Sequence, residues 1–418
     1  MHYRPNPLLY GVHENFLSTF SLVVTMRDTV DHHIFRDAVG RAMKRYPYFS
    51  VRPEKAENSI RLQFNEAPVP VFDNDRCVVL GSDECGGHLL AFATDGRRII
   101  LHVSHFIADG MGISPLLMTV LYLYVSEVYG DEGLNSGRIL MPDSSVSDEE
   151  YSYPFPEEPV PVNIGEAQEK LPEQVYSLNP HAFDDGGLYA YHLRIPQSSM
   201  MSVASPSDGS PVSFLSVMLY RALCSIDTEL DRSVVVHVQH QYRAALKAPY
   251  NRHSLVAYIP VELNPRIKDR RVELQNTIIR GQVIIGSEAE RDLCAVNRLI
   301  SFFPSEASLD EKRKAMRKYI DDSIVGKTFG ISYVGKLDWC GLDRYVEDLH
   351  AYIGEKDTQN MLLIEVMTVG ADFSVNFMQS GRGRLYIDAF TEQLREFGIP
   401  VEIVGEERYR LCDTRIPQ

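Results

Sequence analysis

Apolar residues fall on every second position along 98–105, where Ile99, Leu101 and Val103 form one row, and this two-residue period predicts a strand. His105 continues that row, while His102 and Ser104 fall on the opposite face. Downstream, Ser114-Pro115 reads as an N-cap and first helical position ahead of an apolar helix over 116–129. Asp109-Gly110 lies between strand and helix and reads as a turn, with the glycine supplying positive φ and close backbone approach. Residues 16–26 read as a strand. Asp31 then caps a helix whose apolar residues Ile34, Phe35, Ala38, Val39, Ala42 and Met43 recur at helical spacing.

The alternation breaks over 141–188. That stretch holds seven prolines and eleven acidic residues against one lysine and has no sustained period, so it reads as an extended linker. Beyond it, strands are expected over 188–195, 233–240, 253–263, 329–337, 361–368 and 373–379. Helices are expected over 213–225, 288–303, 309–324 and 387–398. Strands interleaved with helices on both sides of a linker predict an α/β (α+β, mixed-sheet) protein. Its parts are an N-terminal lobe 1–140, an acidic Pro-rich linker 141–188 and a C-terminal lobe 189–418.

Composition narrows the function classes. The chain has 418 residues, 44% hydrophobic and 24% charged, enough for a substantial core. A net charge of -15 argues against nucleic acid and anionic membrane as partners. Apolar residues 115–125 fall short of a bilayer span, and 1–7 show no apolar leader, so no membrane span and a cytoplasmic location are expected. Six cysteines without a Cys-x-x-Cys pair suit free core thiols.

The chemistry centres on His105. An imidazole titrates near neutrality, and one at a strand end beside a loop is placed for general-base work. His102, His105 and Asp109 have a spacing that could suggest zinc, but strand alternation puts the two histidines on opposite faces, so no metal is expected. No Gly-x-Ser-x-Gly elbow, P-loop or strand-linked Gly-x-Gly-x-x-Gly occurs. Ser380-Gly381-Arg382-Gly383-Arg384 reads as a hairpin turn.

His105-Phe106-Ile107-Ala108-Asp109-Gly110 resembles the His-x-x-x-Asp-Gly motif of the superfamily with the chloramphenicol acetyltransferase fold. That superfamily includes condensation domains and alcohol acetyltransferases. Many members carry a second histidine where this chain has Ser104. Ser18-Thr19-Phe20-Ser21, Val30-Asp31 and Arg45-Tyr46-Pro47-Tyr48-Phe49-Ser50-Val51-Arg52 are similar to the opening of bacterial and fungal alcohol-acetyltransferase-like proteins. Phe329-Gly330-Ile331-Ser332-Tyr333-Val334-Gly335-Lys336-Leu337 is similar to their Ser-Asn-x-Gly-x-Leu segment, with Tyr333 for Asn. Arg243 and Asn251 fall near their middle Arg…Asn stretch.

The resemblance implies two such lobes with a channel between them. It also implies acyl transfer from an acyl-CoA co-substrate, with no permanently bound cofactor, to a hydroxyl or amine of a small acceptor. His105 would be the base, Asp109 a structural residue paired with Arg243, and Gly110 the close-approach residue. Ser332 and Asn376 are the candidate oxyanion donors. Two alternatives stand beside this reading: a condensation-type enzyme fed by an acyl carrier protein, and a degenerate member that only binds a partner.

Overall fold

The computed structural model describes residues 2–3, 6–12, 19–130, 133–162, 172, 174–183, 187–301, 306–324, 326–353 and 361–417. The expected strand residues 16–18 and helix residues 302–303 lie outside them. Two sheets organise the described chain. One has five strands in the order Val346–Tyr352, Thr19–Met26, Arg98–Ser104, Leu90–Asp95, Val71–Phe72. The other has seven, in the order Val256–Leu263, Val234–Gln241, Phe329–Tyr333, Leu362–Val369, Asp372–Ser380, Leu188–Pro196, Glu402–Tyr409.

Each sheet builds its own core by alternation. Ile99, Leu101 and Val103 join the first core with helices His32–Ala42 and Gly110–Tyr129. Tyr191, Leu193, Ile195, Ile364, Val366, Phe373, Val375 and Phe377 join the second core, under helices Pro211–Ile226 and Leu385–Glu396. The remaining positions of these strands face the other way, and Met367 there belongs to the first core. The two sheets therefore meet across a seam.

Both sheets are mixed. Val234–Gln241, Phe329–Tyr333 and Leu362–Val369 run parallel, and parallel neighbours need a crossover. The crossover into Leu362–Val369 passes through Val346–Tyr352, which pairs with Thr19–Met26 in the five-stranded sheet. A strand from the C-terminal part of the chain thus forms the edge of the first sheet.

Three local expectations are corrected. The helix after the motif begins at Gly110, not at 115, because Asp109 is its N-cap: the carboxylate accepts from Gly112 N at 2.8 Å and the Asp109 carbonyl accepts from Ile113 N at 3.0 Å. Pro115 lies inside the helix, close enough to its start to be tolerated at the loss of one backbone bond. The helix is consequently 20 residues long, and by length and composition alone it could cross a membrane; its residues instead fill the first core. The strand expected over 329–337 stops at Tyr333, since the backbone turns off the sheet at Gly335, with φ 94°. Of the cysteines, Cys77 is exposed rather than in a core, and all six are free thiols.

Part of the proline-rich stretch is anchored. Glu150, in the short helix Asp148–Tyr151, is buried and accepts from Arg45 Nη2 at 2.8 Å, Arg45 Nη1 at 3.1 Å and the Tyr48 hydroxyl at 2.7 Å. A carboxylate withdrawn from water needs such partners to persist.

Candidate active site

His105 is the first residue past the strand Arg98–Ser104, at the head of the turn that leads to the Asp109 cap. Its ring is partly buried and packs on Phe20, with centroids 4.9 Å apart. Nδ1 lies 3.2 Å from the Ser254 hydroxyl. The Ser254 carbonyl is held in turn by Asn6 Nδ2 at 2.6 Å. Nε2 has no hydrogen-bond partner among the described residues; in the tautomer that keeps the proton on Nδ1 it presents the ring's open lone pair, as a proton acceptor requires.

Burial holds the His105 imidazole below its ordinary value; a hydrogen bond to its own main-chain carbonyl and the charge of Asp109 oppose the shift without reversing it. The ring is therefore neutral at neutral pH. A general base must be unprotonated, so a reaction that used His105 as its base would show the acid limb of kcat/KM below 6.5, the ordinary imidazole value. A pH–rate profile with that limb at or above 6.5 would contradict this placement.

Asp109 and Arg243 form the frame behind the turn. Asp109 Oδ1 accepts from Arg243 Nη2 at 2.8 Å and from Gly112 N, while Oδ2 accepts from Arg243 Nη1 at 2.8 Å and from Leu255 N at 2.9 Å. Arg243 spends its other three donors on Gln241 Oε1, the His253 carbonyl and the Asn251 carbonyl, at 2.8, 2.9 and 3.0 Å. All five guanidinium donors are thus used, and both side chains are buried. Asn251 extends the frame by donating to the carbonyls of Glu149 and Ser152, at 2.9 Å each. The turn that carries His105 is thereby tied to the second sheet and to the anchored part of the linker.

Gly110 does not take the positive φ expected of it; it is the first residue of the helix, and a Cβ there would meet Val334 Cγ2 at an ordinary 3.5 Å. The position that excludes a side chain is Gly112, where a Cβ would come within 2.2 Å of the Arg252 carbonyl. The sequence signal for it was the second glycine of Asp109-Gly110-Met111-Gly112, two residues past the motif.

Ser332 and Asn376 both lie on the seam-facing side of the seven-stranded sheet, where the single donor of Ser332 is engaged and one of the two N–H donors of Asn376 is. The Ser332 hydroxyl donates to Glu365 Oε1 at 2.9 Å, and Asn376 Nδ2 donates to the Ala351 carbonyl at 2.8 Å. Strand register explains the first of these: Glu365 stands directly opposite Ser332, with Asn376 on its other side. His102 lies on the far face, as alternation requires, with Nδ1 2.8 Å from the Ser21 hydroxyl. Among the described residues no cluster of metal-ligating side chains forms.

Solved structures share this architecture. TRI101 of F. sporotrichioides, in a complex with coenzyme A and T-2, matches at TM-score 0.61 and 8% identity over 97% of this chain and 100% of its own. Polyketide synthase associated protein 5 from Mycobacterium tuberculosis matches at 0.56 and 13%, over 90% and 93%. The condensation domain of the Monacolin K polyketide synthase MokA matches at 0.52 and 10%, over 95% and 97%. No protein-family profile and no curated protein matches the chain in sequence. The chain shares the mixed α/β fold of the TRI101 acetyltransferases and of the condensation domains.

Proposed function

We propose that this protein is an acyltransferase that moves an acyl group from a coenzyme A thioester to a hydroxyl or amine of a small acceptor, with His105 as its general base. The observation that carries the proposal is the placement of His105 Nε2, without a partner, on a turn locked by the Asp109–Arg243 pair. Nε2 takes the proton of the acceptor's nucleophile as that nucleophile bonds to the thioester carbonyl carbon. The tetrahedral intermediate collapses, the carbon–sulfur bond breaks, and the proton passes from Nε2 to the departing thiolate. No covalent enzyme intermediate is needed.

Residues 1–140 supply the base in this account, residues 189–418 supply the facing wall of a channel, and residues 141–188 tether the two. Acyl-CoA is a co-substrate rather than a resident cofactor; the coenzyme A held by TRI101 supports this choice of donor. For Ser332 to meet an oxyanion, its hydroxyl would first have to release Glu365, whereas Asn376 Nδ2 has a second N–H besides the one given to the Ala351 carbonyl. Carrier proteins are commonly acidic, and a chain of net charge -15 is a poor electrostatic match for one, so a free thioester is the favoured donor.

Thermal unfolding tests the donor. A ligand that binds only the folded state stabilises it by about 2.7 kcal/mol at a hundredfold excess over Kd, and so raises the melting temperature with its concentration. Acetyl-CoA or a longer acyl-CoA is expected to produce that rise in wild type and equally in His105→Ala, since binding the donor does not use the base. No shift at millimolar thioester, combined with a shift from an acylated carrier protein, would transfer the assignment to the condensation-type reading. Response to neither would leave the chain a partner-binding protein without transferase activity.

A further inference from the structure

Ser254 lies just before the strand Val256–Leu263 and is fully buried. Its hydroxyl has one hydrogen-bond partner among the described residues, His105 Nδ1 at 3.2 Å. The main chain around it is held on all sides. The His253 carbonyl accepts from Arg243 Nη2 at 2.9 Å, and the Ser254 carbonyl accepts from Asn6 Nδ2 at 2.6 Å. Leu255 N donates to Asp109 Oδ2 at 2.9 Å. Three successive residues are thus gripped by buried side chains. Two of those grips come from the Asp109–Arg243 pair. The pair that caps the helix after His105 therefore also sets where the Ser254 oxygen stands.

The direction of the bond to Nδ1 decides what the ring can do. A serine donating to Nδ1 would put the ring's proton on Nε2 and leave no base. The His105 main-chain carbonyl, which only accepts, also hydrogen-bonds the ring. Nδ1 is the ring nitrogen nearer the main chain and the one that can fold back to that carbonyl. The proton is therefore on Nδ1, between the carbonyl and the Ser254 oxygen, and the hydroxyl hydrogen turns away from the ring. When Nε2 takes a second proton the ring becomes a cation, and both contacts become charge-assisted and stronger. An acceptor at Nδ1 thus favours the charged ring and works against burial, the main cause of the ring's low value. The charged groups around the ring are Asp109 on its own turn and Arg243 behind it. Phe20, from the strand Thr19–Met26, is apolar, and His253, next to Ser254, points its Nε2 at the Tyr151 carbonyl 2.9 Å away.

Resting on the acyl-transfer reading above, we infer that Ser254 is a positioning residue for the base: its hydroxyl oxygen holds His105 in the tautomer that leaves Nε2 open and steadies the imidazolium while it carries the acceptor's proton. Ser254 acts through the ring, from the side away from Nε2. Asp109 reaches His105 by the same route, holding Leu255 N directly and the His253 carbonyl through Arg243. The proton count is unchanged by this role. Nε2 takes one proton from the nucleophile and gives it to the thiolate, and the Nδ1 proton stays in place throughout.

Nitrogen NMR of the protein with isotope-labelled histidine reads the ring without any substrate, and His105→Ala identifies its signal. Wild type should show the proton on Nδ1, and titration should give the ring's pKa directly. Ser254→Ala removes one oxygen from a buried site and should lower that pKa by about one unit. In turnover it should lower kcat by about tenfold with KM unchanged, and move the acid limb of kcat/KM down by the same step. Ser254→Thr keeps the hydroxyl and should restore both. Should its added methyl prevent folding, Asn6→Ala, which frees the Ser254 carbonyl, should repeat the downward shift in weaker form. A proton on Nε2 in wild type, a pKa that rises or stays put in Ser254→Ala, or a loss of kcat with unchanged spectra would overturn the inference. The predicted spectra in a chain inert toward every acyl-CoA would sink the acyl-transfer reading alone. Unchanged spectra beside intact, His105-dependent thiol release would sink the role of Ser254 alone.

Discussion

His105→Ala is expected to lower kcat by about 10²–10⁴-fold while the melting temperature stays within a few degrees of wild type. The size follows from what positioned proton transfer contributes to a reaction in which a neutral hydroxyl or amine attacks a thioester. The small structural effect follows from the ring's surroundings. It is only partly buried, its polar contacts beyond its own main chain reduce to one with the Ser254 hydroxyl, and Phe20 remains packed among its other neighbours when the ring is gone. His105→Gln keeps an amide N–H for the Ser254 hydroxyl and should be as inactive as the alanine variant. A folded His105→Ala protein that keeps near-native turnover would remove the base from the account.

Asp109→Ala should act on stability first, by about 3–5 kcal/mol, the usual result of stripping one partner from a buried ion pair. Three losses coincide. Arg243 keeps three donors satisfied but loses its counter-charge, Leu255 N is left buried without its acceptor, and the helix Gly110–Tyr129 loses its cap from Gly112 N. Activity should fall with it, because the turn that aims His105 is no longer fixed. Asp109→Asn keeps an oxygen for the cap and should cost less. The measurement is denaturant unfolding read alongside turnover. An Asp109→Ala protein that unfolds like wild type but is inactive would mean that the carboxylate meets the reacting groups directly.

Much of this was legible in the chain. The alternation of Ile99, Leu101 and Val103 put His105 on the core-facing row and His102 on the other, and both histidines lie so. The strands and helices expected in the second half occur in that order, because those strands bury one face under helices, but helices Gln197–Ala204 and Val272–Gly286 and strands Val346–Tyr352 and Glu402–Tyr409 were not expected. Arg243 and Asp109 were paired from the resemblance, and the structure brings them together across 134 residues. What failed was local and physical. Ser114-Pro115 has the composition of a helix start, yet Asp109 caps first. Once the chain is helical at Gly110, Pro115 enters as its sixth residue and removes one backbone bond, a cost outweighed by the burial of the helix in the first core. Gly112 was missed because its reason is tertiary, the approach of the Arg252 carbonyl from another part of the chain.

Other features were beyond reach for the same reason. Nothing in 346–352 says that this strand leaves its sequence neighbours to pair with Thr19–Met26, since the choice of sheet is made by the seam and not by the segment. Glu365 sits in an apolar run, Leu362-Leu363-Ile364-Glu365-Val366-Met367, where alternation marks it as off the second core. Whether such a position meets solvent or a second lobe depends on what packs above it. The sequence likewise marked Ser332 and Asn376 as polar positions in strands, but the groups that accept from them, Glu365 and the Ala351 carbonyl, lie on two other strands.

The central claim, acyl transfer from a free thioester through His105, is tested most directly by acceptor-dependent release of coenzyme A thiol. Acetyl-CoA and longer acyl-CoA donors would each be incubated with small alcohols and amines, wild type beside folded His105→Ala. The account predicts thiol release that requires both donor and acceptor, is matched mole for mole by acylated product, and drops by at least about a hundredfold in the variant. Release that is the same in both proteins, or no release from any acyl-CoA with any acceptor, would contradict it.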